Sequence, residues 1–143
     1  MKITQLSVFL ENTAGRLREV TGILRDAGIN IRALSLAETT DFGILRIIVN
    51  DPQKAMQALR QAHFTVRETP ILAVEVPDRP GGLHSLLEAL AKENMNIEYV
   101  YAFVEKRTDN ALIVIRVEQP DRAIEVLQKG GFNVLGNKDI GSL

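Results

Sequence analysis

Leu6, Val8 and Leu10 alternate with Gln5, Ser7 and Phe9, a period of two that predicts a strand. Leu17, Val20 and Leu24 follow at helical spacing, and Gly28 marks the helix stop. Residues 30–38 and 42–49 read as two further strands, with Thr39-Thr40-Asp41 as the turn between them. Asp51 is a good N-cap and Pro52 suits a first helical turn. Ala55, Met56 and Leu59 form the apolar stripe of that second helix, and Phe64-Thr65-Val66 reads as a fourth strand.

The pattern then starts again. Gly15 and Gly81 are 66 residues apart, as are Asn30-Ile31 and Asn96-Ile97, whereas Pro52 and Pro120 are 68 apart, as are Phe64 and Phe132. Internal repetition of this kind means two copies of one structural unit. The second copy carries two extra residues, placed in the polar hairpin Lys106-Arg107-Thr108-Asp109-Asn110. Leu72, Val74 and Val76 match Leu6, Val8 and Leu10, and Leu83, Leu86 and Leu90 match Leu17, Val20 and Leu24. Residues 97–104 and 111–117 give the central strands, 120–129 a helix with Ala123 and Leu127 inward, and 132–135 the last strand. The boundary falls near Thr69-Pro70, giving domains at 1–69 and 70–136, with 137–143 a poorly ordered tail.

Strand-helix-strand-strand-helix-strand, twice, is the α+β, ferredoxin-like βαββαβ arrangement, an antiparallel sheet with its helices on one face. The other face is expected to carry Ile3, Phe9, Leu34, Leu36, Ile44, Ile48, Val100, Ala102, Leu112 and Val114. That set is too apolar for water, so a second copy of the chain is the simplest cover and a homodimer is expected.

Composition narrows the partners. The 143 residues are 45% hydrophobic, enough for a packed core. A net charge of -1 without a Lys/Arg stripe argues against nucleic acid. Cysteine is absent, which excludes disulfides, thiol catalysis and thiolate metal sites. The sequence shows no signal peptide and no membrane-length apolar run, so a cytoplasmic protein without a membrane partner is expected.

The candidate chemistry lies in two matching turns between strand and helix. The first is Asn12-Thr13-Ala14-Gly15-Arg16-Leu17, the second Asp78-Arg79-Pro80-Gly81-Gly82-Leu83. A helix start leaves backbone N–H groups unpaired at the positive end of its dipole, where a small carboxylate can sit. Glycine lets the backbone turn tightly and a ligand approach. Either turn alone also reads as an ordinary well-capped loop, since Asn and Asp favour turns for local reasons. Their duplication in matching contexts is what favours binding.

These residues resemble the ACT domain family. The resemblance rests on two copies of Asn/Asp-x-x-Gly-x-Leu between strand and helix, each followed by Gly/Asn-x-Asn-Ile at a strand start. It covers residues 1–135, and the chain as a whole is similar to small tandem ACT-domain proteins. The resemblance implies non-catalytic regulatory domains, placed side by side in one eight-stranded sheet, that bind a free amino acid or similar carboxylate. It implies a ligand held where the first loop of one domain meets the second strand of its neighbour. The implied site residues are then the two loops together with Asn30, Ile31, Asn96 and Ile97. The second loop has the fuller Asp-x-Pro-Gly form; the first has Ala14 in place of proline, and Arg16 can either crowd that site or add positive charge. No enzyme domain is attached, so regulation acts through a separate enzyme or regulator.

No cofactor or metal is expected: His63 and His84 are separated, lack ligand spacing and read as surface residues. Tyr99, Tyr101 and Phe103 share a strand face and read as core rather than as a ligand platform. Two rival functions remain at this level. One is a ferredoxin-like enzyme such as an acylphosphatase-like hydrolase, suggested loosely by Arg16 and Asn30 without the expected glycine-rich loop. The other is an interaction module whose loops bind nothing.

Overall fold

The computed structural model describes residues 1–104 and 109–141. The chain divides into two compact units, Thr4–Thr69 in one and Pro70 onward with Met1–Ile3 in the other. The elements are β1 (Ile3–Glu11), α1 (Arg16–Asp26), β2 (Ile31–Glu38), β3 (Phe42–Val49), α2 (Pro52–Gln61) and β4 (Thr65–Pro77). After them come α3 (Gly82–Lys92), β5 (Ile97–Ala102), β6 (Asn110–Val117), α4 (Pro120–Lys129), β7 (Val134–Leu135) and α5 (Asn137–Gly141). The strands expected at 64–66 and 72–76 merge into the single strand β4, which starts at Thr65, one residue after Phe64. Lys106, Arg107 and Thr108 of the expected hairpin lie outside the described residues. No helix among the described residues is long and apolar enough to cross a membrane.

In the first unit the strand order is β2-β3-β1-β4, and in the second β5-β6-β4-β7. Each is the ferredoxin-like order. Alternation sorts the strand residues by face. In the first unit Leu6, Val8, Leu45, Ile47 and Val66 cluster with Val20 and Leu24 of α1 and Ala55 and Leu59 of α2. In the second, Leu72, Val74, Ile113 and Ile115 cluster with Leu86 and Leu90 of α3 and Ala123 and Leu127 of α4. Each fully buried Leu or Ile contributes roughly 1.5–3 kcal/mol, so the helices are held by one stripe each. Local signals set the ends: the Asp51 carboxylate accepts from the Lys54 N–H at 3.2 Å, and Pro52 opens α2.

Several expectations about faces are corrected by one feature. A bulge lies between Ile31 and Ala33, and another at the equivalent place between Ile97 and Tyr99. An extra residue shifts the alternation by one. Leu34 and Leu36 therefore pair with Ile47 and Leu45, and Val100 and Ala102 with Ile115 and Ile113, all on the helix face rather than the open one. They sit on outermost strands, and Leu34, Leu36 and Val100 remain 43%, 48% and 45% exposed. Ile3, Ile48, Leu112 and Val114, expected to await a partner, are already buried within the chain. Tyr99 and Tyr101 take the face away from the helix-side core, half-buried and stacked at 6.4 Å between centroids, while Phe103 is buried. The alternation ends at Ala102 rather than Val104, which is exposed. Leu17 and Leu83, expected to face inward, are 38% and 40% exposed because the helices begin there, ahead of the turn that meets the core. The expected tail is instead α5, with Ile140 buried and Asp139 accepting from the Gly136 N–H at 2.8 Å.

Candidate functional site

The two loops adopt the same conformation. Gly15 and Gly81 both have φ 87°, the left-handed region open to glycine, and each forms the N-cap of the following helix without a side-chain cap. In the first loop Thr13 N–H donates to Glu11 and Arg16 N–H to Thr13. In the second, Arg79 N–H donates to Pro77 and Gly82 N–H to Arg79. Among the described residues the N–H groups of Leu17 and Arg18, and those of Leu83 and His84, have no acceptor. Both helix starts thus present donors to solvent together with the positive end of the helix dipole. Neither loop is deep: Asn12 to Gly15 and Asp78 to Gly81 are exposed.

A partner for each loop was not legible in the sequence. Asn12 Nδ2 donates to the carbonyls of Thr39 and Thr40 at 3.1 and 3.3 Å, and its backbone N–H to Asp41 at 2.8 Å. Asp78 N–H donates to Asp109 at 3.3 Å. Each loop is therefore tied to the hairpin between the second and third strands of its own unit. The Asn12 amide nitrogen, expected to face a ligand, is engaged in that tie. The only advance signal would have been topological, since the first loop and this hairpin share one end of a ferredoxin-like unit.

The two loops differ where the sequence suggested. A Cβ at Gly82 would collide with the Pro77 carbonyl oxygen, so the second loop is closed down on the end of β4. The equivalent position in the first loop is Arg16. Its guanidinium lies 4.5 Å above the Phe64 ring and its Nη1 is 2.7 Å from Glu19. Its Nε is buried without an acceptor among the described residues. Arg16 is folded back over the core and paired with a carboxylate, not projected across the loop.

Asn30 and Asn96 are not brought to the loops within their own units. Asn30 N–H donates to the Asn50 side chain at 3.0 Å, and Asn50 N–H returns to the Asn30 carbonyl. Asn12 is bonded at the other end of β2, ~25 Å away at about 3.3 Å per residue. Ile31 and Ile97 are half-buried against the two cores. Asn96, with Asn94, Met95, Glu118, Gln119 and Arg122, lines a polar cleft of about 210 Å³ at the far end of β5 from Asp78. The same separation keeps Arg16 from Asn30, so the pair that suggested a hydrolase does not assemble within the unit. His84 is exposed with Nε2 3.3 Å from Glu88 on the next turn, and His63 is exposed at a helix end with φ 69°.

With this geometry established, the chain belongs to the ACT domain pair family, whose model matches residues 1–143. It is similar to protein BT0572 of Bacteroides thetaiotaomicron, with 43% identity, 100% of this chain and 98% of that chain covered, and a TM-score of 0.93. Its fold is also similar to the ligand-free regulatory subunit of aspartate kinase from Thermus thermophilus, at 16% identity over 88% of this chain and 91% of that one, with a TM-score of 0.63. The acetolactate synthase small subunit of Buchnera aphidicola is 31% identical over 78 residues, which is 52% of this chain. The chain spans about half the length (49%) of that curated relative.

Proposed function

We propose that this chain is a non-catalytic regulatory protein that binds a free amino acid at its strand-to-helix loops and acts on a separate cytoplasmic enzyme as a homodimer. The observation that carries the reading is the duplicated loop, with Gly15 and Gly81 in one left-handed conformation at the open N-termini of α1 and α3. Backbone N–H groups and the helix dipole suit an α-carboxylate there. Membership of the ACT domain pair family supports a regulatory role. The Buchnera relative is named as the small subunit of an enzyme, which fits action through a separate partner. Asn30, Ile31, Asn96 and Ile97 join such a site only from another domain. The second loop, tightened by Gly82, is the better formed of the two.

Calorimetry against a panel of amino acids tests the reading. Several hydrogen bonds to a charged group, each worth about 1.5–3 kcal/mol, support micromolar affinity after the cost of association. The corresponding amino-acid amides should fail to bind. Gly81→Asp places a negative charge where the carboxylate sits, and should abolish binding at the second loop. Gly81→Asn carries the same backbone strain without the charge and should retain much of it. Equal binding of acids and amides, or equal affinity of both variants, would show that the loops are not the carboxylate site.

A further inference from the structure

The two units share one framework, so each shows what the other has changed. Arg16 stands where the second unit has Gly82, Glu19 where it has Ser85, and Phe64 where it has Phe132. In the first unit the chain supplies its own cation. The Arg16 guanidinium lies 4.5 Å above the Phe64 ring, and its Nη1 is 2.7 Å from Glu19. Phe64 is accordingly covered, at 4% exposed. The second unit keeps the ring and drops the cation. Phe132 is half-buried and lines a cavity of about 310 Å³ together with Glu75, Ser85, Asn110, Gly130 and Asn133. A Cβ at Gly82 would collide with the Pro77 carbonyl, so the space beside Phe132 is not closed from this position as it is in the first unit.

Three features of the cavity suit a positive charge. One is the ring, whose π-face attracts cations. Another is the end of α4, capped by Gly130, where the helix carbonyls carry the negative end of the dipole. Phe64 follows the end of α2, capped by Ala62, in the same way. The third is a carboxylate. Glu75 stands where the first unit has Phe9, and among the described residues it is the one charged group of the lining. Asn110 Nδ2 donates to Glu75 Oε2 at 3.2 Å, which holds that oxygen in place. Ser85 turns its hydroxyl back to the Gly81 carbonyl at 2.9 Å and brings no charge in place of Glu19. From the first unit to the second, the chain has withdrawn a guanidinium and added an acid at one place in the fold.

We infer that the cavity beside Phe132 binds a small organic cation of the guanidinium class, in the place that the Arg16 side chain takes in the first unit. A guanidinium is favoured over an ammonium because it is planar, stacks on an aromatic face and is more weakly hydrated. Its N–H groups can donate to the Glu75 carboxylate while its plane lies on the ring. At ~30 Å³ for a water molecule, the cavity also has room for a short aliphatic tail on that head. The site does not use the loop donors of Leu83 and His84, so it stands or falls independently of the amino-acid binding proposed above.

Ethylguanidinium chloride tests the inference, because it carries the head and no carboxylate. Titrated into the unmodified chain at millimolar concentration, it should give saturable NMR shifts at the amides of Gly130, Gly131 and Phe132. Ethylammonium should bind more weakly, and the neutral isostere ethylurea should give no saturable shift. Phe132→Leu should weaken binding roughly fivefold, as loss of a cation–π contact implies. Glu75→Gln should weaken it roughly threefold, since a charge-assisted bond becomes a neutral one. Circular dichroism should show both variants folded; if Phe132→Leu does not fold, Glu75→Gln and the ethylurea comparison decide. Arg16→Gly supplies the counterpart, since it uncovers Phe64. Ethylguanidinium should then also shift the Phe64 amide and raise the melting temperature of that variant, and ethylurea should do neither. Absence of a saturable shift at Phe132 in the unmodified chain would overturn the site, whether or not Arg16→Gly binds the probe at Phe64. Equal binding of ethylurea, or unchanged affinity in Glu75→Gln or in a folded Phe132→Leu, would overturn it as well.

Discussion

Substituting Gly82 by alanine tests how closely the second loop is built onto its strand. A Cβ at this position would overlap the Pro77 carbonyl oxygen and come within 3.1 Å of the Pro77 carbonyl carbon and 3.6 Å of its nitrogen. These are backbone atoms, so no rotamer change relieves the clash; the start of α3 must move away from the end of β4. Overpacking of this kind costs roughly 1–3 kcal/mol. Gly82 is the first residue of α3, where the helix-interior preference of alanine over glycine offsets little of this, so the net loss expected for Gly82→Ala is roughly 1–3 kcal/mol. Gly22→Ala is the contrasting change. Gly22 lies in the interior of α1 with nothing within 4 Å of the added Cβ, and the variant should gain about 0.5–1 kcal/mol. Urea denaturation followed by circular dichroism reads both. With m on the order of 1–3 kcal/mol/M, the two midpoints should move in opposite directions by a few tenths of a molar or more at unchanged m. Gly82→Ala should also weaken amino-acid binding, because the donors of the second loop move with the helix. An unchanged midpoint for Gly82→Ala beside a raised one for Gly22→Ala would refute the close approach.

Asn12→Ala removes two side-chain bonds between the first loop and its hairpin, and should cost about 1 kcal/mol by urea denaturation. Amide exchange at position 12, whose N–H donates to Asp41, and at Thr13 should rise with it, and unchanged exchange would show that the tie does not hold the loop. Ending the chain after Gly136 removes buried Ile140 and the Asp139 contact, and should destabilise the second unit by roughly 1.5–3 kcal/mol. A truncated chain as stable as the original would mean that α5 is ornamental.

The fold was legible where the signals were local and repeated. Asp51-Pro52 marked the start of α2 and the spacing of the glycines marked the duplication. Both loop glycines proved to need positive φ, at 87° each. What escaped was whatever depended on a single inserted residue or on contacts distant in sequence. The bulges at Ile31/Ala33 and Ile97/Tyr99 reverse the faces of β2 and β5, and a run such as Ala-Leu-Ser-Leu-Ala reads as a plausible strand in either phase. The hairpin tie to Asn12 joins residues 27 and 28 positions apart. No local pattern encodes it. The burial of Ile140 likewise depends on the second unit being already folded around it.

The grouping of Met1–Ile3 with the segment from Pro70 onward has a consequence for the order of synthesis. Lys2 forms an ion pair with Asp121 at 3.2 Å, and Gln128 reaches the Met1 sulfur. These contacts close a loop of about 120 residues, among the longest the chain contains, and such closures come late. On the ribosome, residues 1–3 emerge long before their acceptor exists. The first unit therefore completes Thr4–Thr69 with residues 1–3 unanchored, and α4 secures residues made more than a hundred positions before it.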